Sequence, residues 1–268
     1  MIKLFFNFII PALLLFSCNL IPEKQGPILP GELHKEFYPS GKLKSVCQVE
    51  EKRRNGICNT YDEQGRLTST AHYVNNKFDG TFTTFYQNGN KKTEVNYLDH
   101  KKHGVASHYY ASGKIKVIEN YESGSLNGIK QKFYPNGNIK MENMYENGKP
   151  SVNLKEYDVN GNLKSIDKPK IVISKVDRAA LDNTYTLKLS LSNNSKRVKY
   201  YFGTLTEHGY TPSFMEPIST KNGVGTYVIP VYRGTMIMKK LHIIAKWKTP
   251  EQGNTCLLTT SYNLAIKY

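Results

Sequence analysis

The sequence predicts an all-β protein in which an antiparallel meander of six hairpin repeats precedes a two-layer β-sandwich. Two observations predict the meander: a glycine recurs at one fixed interval without insertion, and an aromatic residue stands four positions before each of these glycines. A third observation predicts the sandwich, because β-branched and aromatic runs continue after residue 166, where the regular interval ends. Repeats of fixed length build sheets in which each unit packs mainly on its neighbours.

The repeats share four landmarks. The first glycines are Gly41, Gly65, Gly89, Gly113, Gly137 and Gly161. The aromatic residues before them are Phe37, Tyr61, Phe85, Tyr109, Phe133 and Tyr157. A second set of glycines comprises Gly56, Gly80, Gly104 and Gly128. A tyrosine follows the first glycine by eight positions, at Tyr73, Tyr97, Tyr121 and Tyr145.

Each repeat is typical of a pair of strands. Pro, Asp, Asn or Ser beside the first glycine favours a turn, because glycine adopts positive φ at little cost. The next residues alternate: hydrophobic residues such as Leu67 begin a face that ends at the tyrosines, and lysines such as Lys92 begin the other face. This period of two predicts a half-exposed strand. A second, polar turn is expected over residues 75–80 and their equivalents, with a short strand leading to the next aromatic residue.

Residues 33–166 resemble the MORN-repeat variant found in YwqK-like proteins, a family associated with the antitoxins of toxin–antitoxin systems. The resemblance rests on the pattern aromatic-Tyr-x-x-Gly-x-hydrophobic-Lys, then tyrosine, then a polar Asn/Asp-Gly turn. It implies a MORN-like repeat sheet over residues 34–166 and, as one functional alternative, an antitoxin or immunity protein that neutralises a toxin. The first repeat departs from the pattern at Val49, and the last has Val152 where the second glycine is expected.

Residues 1–17 have the form of a lipoprotein signal peptide. The apolar run over residues 4–16 is too short for a transmembrane helix, which takes about 20 residues. Leu15 and Ser17 stand before Cys18 as in a bacterial lipobox, which implies that Cys18 carries the lipid. An ordinary signal peptide followed by a coincidental cysteine and a short membrane anchor are the alternatives.

A lipid on Cys18 makes the membrane a partner and places the protein in the cell envelope, on the periplasmic or surface side. Asn19 is not the aspartate that commonly retains lipoproteins in the inner membrane, so the resemblance favours the outer membrane. Residues 18–33 contain three prolines and two glycines after Cys18, and this composition predicts a flexible tether.

Residues 167–268 are predicted to form an immunoglobulin-like β-sandwich. Six strand-like runs are separated by clusters of Asn, Gly, Ser and Pro. They span residues 171–176, 184–191, 197–202, 226–232, 241–247 and 257–266. About 100 residues with this spacing of short strands is typical of such a sandwich.

Three cysteines lie beyond Cys18. Cys47 and Cys58 fall on successive strands of one hairpin if residues 50–55 form its turn, so they are candidates for a disulfide in an oxidising compartment. Two reduced cysteines on a β surface is the alternative. Cys256 is expected to be a buried core residue.

The formal net charge of +15 is spread over the repeats. An exported protein seldom meets nucleic acid, so no nucleic-acid partner is expected. Anionic lipid head groups and acidic glycans are the remaining candidates for this charge. The alternative is a solvated sheet face on which lysines protect the strand edges.

Tyrosines provide the candidate binding surface, and we expect a protein or glycan partner. The candidates are Tyr73, Tyr97, Tyr121, Tyr145, Tyr86, Tyr110 and Tyr134. Stacking between neighbouring hairpins is the structural alternative for the same residues.

The sequence contains no catalytic motif, so we expect neither an enzyme nor a cofactor. His100, His103 and His108 are close in sequence, but the first two are expected in a polar turn beside two lysines, which argues against a metal site. The sequence therefore predicts a non-enzymatic cell-envelope lipoprotein that acts as a binding or scaffold module through its repeat sheet.

Overall fold

A computed structural model describes residues 32–268. The predicted signal peptide, the lipidation site Cys18 and the tether up to residue 31 lie outside these residues. Thirteen strands form the repeat region: β1 (Glu32–Phe37), β2 (Leu43–Glu50), β3 (Arg53–Tyr61), β4 (Leu67–Val74), β5 (Lys77–Phe85), β6 (Lys91–Leu98), β7 (Lys101–Tyr109), β8 (Ile115–Glu122), β9 (Ser125–Leu126), β10 (Gly128–Phe133), β11 (Ile139–Glu146), β12 (Lys149–Pro150) and β13 (Lys155–Glu156).

The remaining elements are seven strands, which form the C-terminal sheet, and one short helix. They are β14 (Ile171–Arg178), α1 (Ala179–Asp182), β15 (Thr184–Leu191), β16 (Val198–Phe202), β17 (Glu216–Lys221), β18 (Val224–Pro230), β19 (Met236–Lys248) and β20 (Thr255–Lys267). Within the described residues, α1 is the single α-helix and spans four residues. The predicted all-β fold, a long hairpin meander followed by a second β unit, is therefore confirmed.

Strands of the repeat region pair antiparallel in chain order, so the repeat sheet is a meander. The pairing register advances by one repeat at a time: Gly56 lies opposite Tyr73, and Gly80 lies opposite Tyr97. Because side chains alternate between the two faces of a strand, this register keeps equivalent residues of successive repeats on the same face.

The second turn of each repeat is shorter than predicted. The turn expected over residues 75–80 consists of Asn75 and Asn76, whose φ angles of 50° and 66° are both positive, as in a two-residue type I′ hairpin. Gly80 instead lies in β5, where the register shifts between Ala71 and Tyr73 on β4, and it has a φ of +102°. A bulge that requires positive φ selects glycine at this position.

These tight turns also connect successive repeats. The backbone N–H of Asn76 donates to the Arg54 carbonyl at 2.9 Å, and that of His100 donates to the Phe78 carbonyl at 2.8 Å. On the opposite edge, the Asn90 side chain donates to the Ala111 carbonyl at 2.8 Å. Each edge of the sheet is thus held repeat to repeat by hydrogen bonds, in addition to the strand ladder.

The two ends of the repeat sheet depart from the prediction. Glu32 and Leu33, assigned to the tether, belong to β1, because they pair with Val49 and Gln48 of β2. The sixth repeat forms no full hairpin. It keeps β13 and an isolated bridge between Tyr157 and Leu163.

The C-terminal sheet has the strand order β14-β15-β18-β17-β16-β19-β20. Taken as two layers, β14-β15-β18-β17 and β16-β19-β20 follow the order of constant-type immunoglobulin domains. Because β16 also pairs with β17, the layers are joined along one edge into a barrel-like sheet. Strand β17 was not predicted, because Ile218 is its one buried residue and the strand has no apolar alternation.

Both hydrophobic clusters of the sandwich lie between its layers, and one of them continues into the repeats. Trp247, the single tryptophan, is 1% exposed and belongs to the cluster that also contains Met141 and Leu154 of the repeat region. Beside this cluster, buried Glu156 accepts hydrogen bonds from Thr249 Oγ1 at 2.9 Å and Asn254 Nδ2 at 2.6 Å. The sandwich therefore covers the C-terminal end of the repeat sheet.

Candidate binding face of the repeat sheet

The register divides the repeat sheet into two faces with different chemistry. On the first face the tyrosines eight residues after each first glycine form a line near one edge, which we call the tyrosine row: Tyr73, Tyr97, Tyr121 and Tyr145. Beside it runs a largely buried central row: Cys47, Cys58, Ala71, Phe82, Val95, Ala106, Glu119, Lys130, Asn143 and Leu154. Members of the tyrosine row are two strands apart, or about 9.5 Å, and half-buried.

Each member of the tyrosine row lies opposite a glycine of the preceding strand. The pairs are Gly56–Tyr73, Gly80–Tyr97, Gly104–Tyr121 and Gly128–Tyr145. A Cβ at Gly56, Gly80 or Gly128 would meet the side chain of Gln48, His72 or Asn120 on the other neighbouring strand, and one at Gly104 would meet no atom within 4 Å. The second glycine and the tyrosine thus recur as one cross-strand pair.

Further aromatic rings extend the tyrosine row. The Phe78 ring centroid lies 4.7 Å from that of Tyr73 and 5.3 Å from that of Tyr97. Phe78 also stacks on His100 at 5.3 Å, and Phe82 lies 6.5 Å from Tyr97. The result is a continuous aromatic surface across β4 to β6. Aromatic residues are enriched at the surfaces through which proteins bind partners.

Two cations lie over the rings of this row. The Arg54 guanidinium is 5.4 Å from the Tyr73 ring centroid, and the Lys102 ammonium is 4.8 Å from that of Tyr121. Both distances suit a cation–π interaction. The row therefore offers apolar rings together with fixed positive charge.

A charged cluster interrupts the central row at Glu119. Lys130 Nζ is 2.5 Å from one carboxylate oxygen, Tyr121 donates to the other at 3.0 Å, and His108 Nε2 is 3.5 Å away. Burial alone would raise the Glu119 pKa, but the hydrogen bond and charge of Lys130, helped by Tyr121 and His108, hold that pKa below its ordinary value. Burial and the neighbouring carboxylate raise the pKa of the Tyr121 phenol, which stays protonated.

The other three candidate tyrosines lie apart from the tyrosine row. Tyr86, Tyr110 and Tyr134 follow the first aromatic residue of their repeats, at the opposite edge of the sheet. Their hydroxyls donate to backbone carbonyls of the next repeat at 2.8, 2.7 and 2.9 Å. Each ring contacts a lysine of the second face. We call Lys92, Lys116 and Lys140 the lysine row. The hydroxyls of these three tyrosines connect successive repeats. The predicted binding surface therefore combined two sets of tyrosines that have different positions and different contacts.

Cys47 and Cys58 occupy the N-terminal end of the central row. They are directly opposite on β2 and β3 with Cα atoms 3.9 Å apart, and the structure joins them as a disulfide. The turn between them is Glu51 and Lys52, shorter than the predicted 50–55. Cys256 is free and fully buried in the sandwich core, as predicted.

Reduction of this disulfide is expected to destabilise the first hairpin. The disulfide closes a short loop, with a sequence separation of 11, and closing such a loop is worth about 3 kcal/mol of unfolding free energy. Replacing both cysteines with serine should cost that amount in urea melts followed by circular dichroism. A reducing agent should lower the stability of the wild-type chain but leave the serine variant unchanged. A reductant that affects neither chain would show that the bond is absent in solution.

The three histidines are separated by the fold. His100 lies in the type I′ turn and stacks on Phe78, whereas His103, predicted in the same turn, already belongs to β7. His108 faces Glu119. Among residues 32–268 no group of three or more His, Cys, Asp or Glu side chains is placed to hold a metal ion. In that part of the chain no helix has the length and apolar character of a membrane span.

Three residues that shape this face were not predicted: Phe78, Lys102 and Lys130. Phe78 was placed in a turn, which hid its contact with the tyrosines. Glu119 and Lys130 occupy the positions that Val95 and Ala106 have one repeat earlier. Comparison of equivalent repeat positions would therefore have identified the charged pair as an exception.

Comparison with known proteins supports the repeat type. A family model described as a MORN repeat variant matches residues 33–50, 78–99, 102–123 and 126–150. The gap at residues 51–77 contains Tyr61, Gly65 and Tyr73, which keep the same spacing. A search of curated proteins finds no match. Four segments of the repeat sheet are thus similar to the MORN repeat variant.

Proposed function

We propose that the chain is a non-enzymatic binding or scaffold module of the cell envelope that contacts a protein or glycan partner through the tyrosine row. The observation that carries this proposal is the line of four half-buried tyrosines, with Phe78, Arg54 and Lys102, on a hydrogen-bonded sheet. Tyrosine, tryptophan and arginine dominate binding energy at interfaces, and the aromatic residues do so because they bury large areas with few rotatable bonds. MORN repeats are often involved in binding or scaffolding.

The proposed attachment is a lipid on Cys18, with the outer membrane as the location. Two or more acyl chains hold a protein stably at a bilayer, since each buried CH₂ contributes about 0.8 kcal/mol. Palmitate labelling should mark the wild-type chain and not Cys18→Ala, and globomycin should cause the signal peptide to be retained. A mature chain that keeps residues 1–17 without the drug would contradict the attachment.

Binding through the tyrosine row is tested by a pair of double variants. Tyr73→Leu with Tyr97→Leu keeps apolar side chains opposite Gly56 and Gly80 but removes the flat rings. The immobilised variant should bind the partner from solubilised envelope at least about tenfold more weakly than wild type does. A tenfold loss of affinity equals about 1.4 kcal/mol of binding free energy.

The matched control is Tyr232→Leu with Tyr268→Leu, which changes two exposed tyrosines of the sandwich. This control should capture as much partner as wild type. Equal capture by all three chains would remove the tyrosine row from the proposal. If the captured protein is toxic when expressed alone and co-expression of this chain restores growth, the YwqK-type antitoxin role replaces the scaffold role.

A further inference from the structure

The three lysines of the lysine row repeat one local arrangement on the second face. Their ammonium groups lie over tyrosine rings, at 5.9 Å for Lys92, 5.6 Å for Lys116 and 5.2 Å for Lys140 from the ring centroids. Each ring is held in turn by the hydrogen bond from its hydroxyl to the next repeat. The three cations therefore have supported positions rather than freely moving side chains.

Among residues 32–268 these three lysines form no ion pair. The carboxylates on the same face two positions along β6 and β11, Glu94 and Glu142, pair with Lys91 and Lys155 instead. The ends of the row differ: Thr68 replaces lysine before Lys92, and Lys164 pairs with Glu251. A line of regularly placed charge without internal partners is thus confined to three consecutive repeats.

The spacing of the row follows from the repeat. Successive lysines are one repeat and two strands apart, which is about 9.5 Å across a β-sheet. The line runs across the strands, with equal steps. An extended acidic polysaccharide that bears one carboxylate on each disaccharide presents charges at about the same interval.

We propose that the lysine row binds such an acidic polysaccharide, laid across β6, β8 and β11. A one-dimensional array of fixed cations matches a one-dimensional array of carboxylates. A fluid plane of lipid head groups would engage the dispersed lysines of the chain without preference for this row. The proposal takes an envelope location from the proposed function, but it uses the opposite face from the tyrosine row.

Hyaluronan oligosaccharides are suitable probes because they alternate acidic and neutral sugars. Titration calorimetry of the full-length chain in detergent should show binding of an octasaccharide and at least about tenfold weaker binding of a disaccharide, which reaches one lysine alone. Changing Lys92, Lys116 and Lys140 together to glutamine should weaken octasaccharide binding at least about tenfold. Circular dichroism should show that this variant stays folded.

The control variant removes the same charge elsewhere, with Lys175, Lys188 and Lys199 of the sandwich changed to glutamine. It should bind the octasaccharide within about threefold of wild type. Equal weakening by both triple variants, or no octasaccharide binding by wild type, would overturn the proposal. The proposal would also be overturned if the lysine-row variant no longer bound phosphatidylglycerol vesicles but still bound the octasaccharide, because that result assigns the row to a bilayer. Tyr73→Leu with Tyr97→Leu should leave octasaccharide affinity unchanged, so failure here does not bear on the tyrosine row.

Discussion

Replacing Lys130 with alanine is expected to lower the free energy of unfolding of the repeat sheet by about 3 kcal/mol. The change leaves Glu119, a residue that is 8% exposed, with Tyr121 and His108 but without its 2.5 Å partner. Urea unfolding followed by far-ultraviolet circular dichroism measures the loss. Because the folded pKa of Glu119 is depressed, the pair stabilises the wild type above the unfolded pKa of a glutamate. That stabilisation should disappear as the pH falls through the lower, folded pKa.

The matched variant combines Lys130→Ala with Glu119→Val. It installs the pair found one repeat earlier, Val95 and Ala106, at positions with the same register. Replacing a buried ion pair with apolar residues is commonly neutral or stabilising, so the double variant should recover most of the loss. A double variant as unstable as Lys130→Ala alone would show that the charged cluster is required for the fold of this repeat.

Replacing Gly223 with alanine is expected to cost at least about 3 kcal/mol of sandwich stability. Gly223 has a φ of +80°, and a Cβ there would lie 2.4 Å from the backbone oxygen of Ser195 and 2.8 Å from the Cα of Lys196. Both atoms belong to the backbone, so the chain at Ser195 and Lys196 would have to shift, and the Ser195 hydroxyl accepts a hydrogen bond from the Trp247 indole at 3.3 Å. Fluorescence of Trp247, the single tryptophan, reports the unfolding of this region directly.

Gly234→Ala is the control for backbone strain without a clash. Gly234 has a similar φ of +86° but no atom within 4 Å of a Cβ, so it should cost about 1 kcal/mol. Equal losses at the two glycines would mean that positive φ alone, rather than the approach of the loop at Ser195, determines the effect.

The repeat architecture could be predicted because individual residue types recur at the same position of every repeat. An aromatic residue and a glycine four positions later occur in every repeat, and the strands follow this phase. The second glycine was assigned to a turn because a polar Asn/Asp-Gly stretch is ordinarily turn chemistry. In the fold the turn needs only two residues, and Gly80 lies at the bulge beside β4, where the register shifts between Ala71 and Tyr73.

The division of the tyrosines between two faces was not predictable from spacing alone. Tyr86 and Tyr97 both have equivalents in the following repeats, and nothing in that period distinguishes a tyrosine whose hydroxyl bonds the next repeat from one that lies opposite a glycine. The sandwich was predicted from strand-like runs of β-branched and aromatic residues, and β17 was missed because its sequence of Glu, Pro, Ser, Thr and Lys around Ile218 is not such a run.

Hydroxyl-radical footprinting of tyrosines is the sharpest test of the proposed binding face, because it needs no knowledge of the partner. Oxidation is compared between the native chain in intact envelopes and the purified chain in detergent. We expect Tyr73 and Tyr97 to be protected in the envelope, while Tyr232 of the sandwich is oxidised equally in both samples. Equal oxidation of Tyr73 and Tyr97 in both samples would show that nothing covers the tyrosine row, and the row would then not be the binding face.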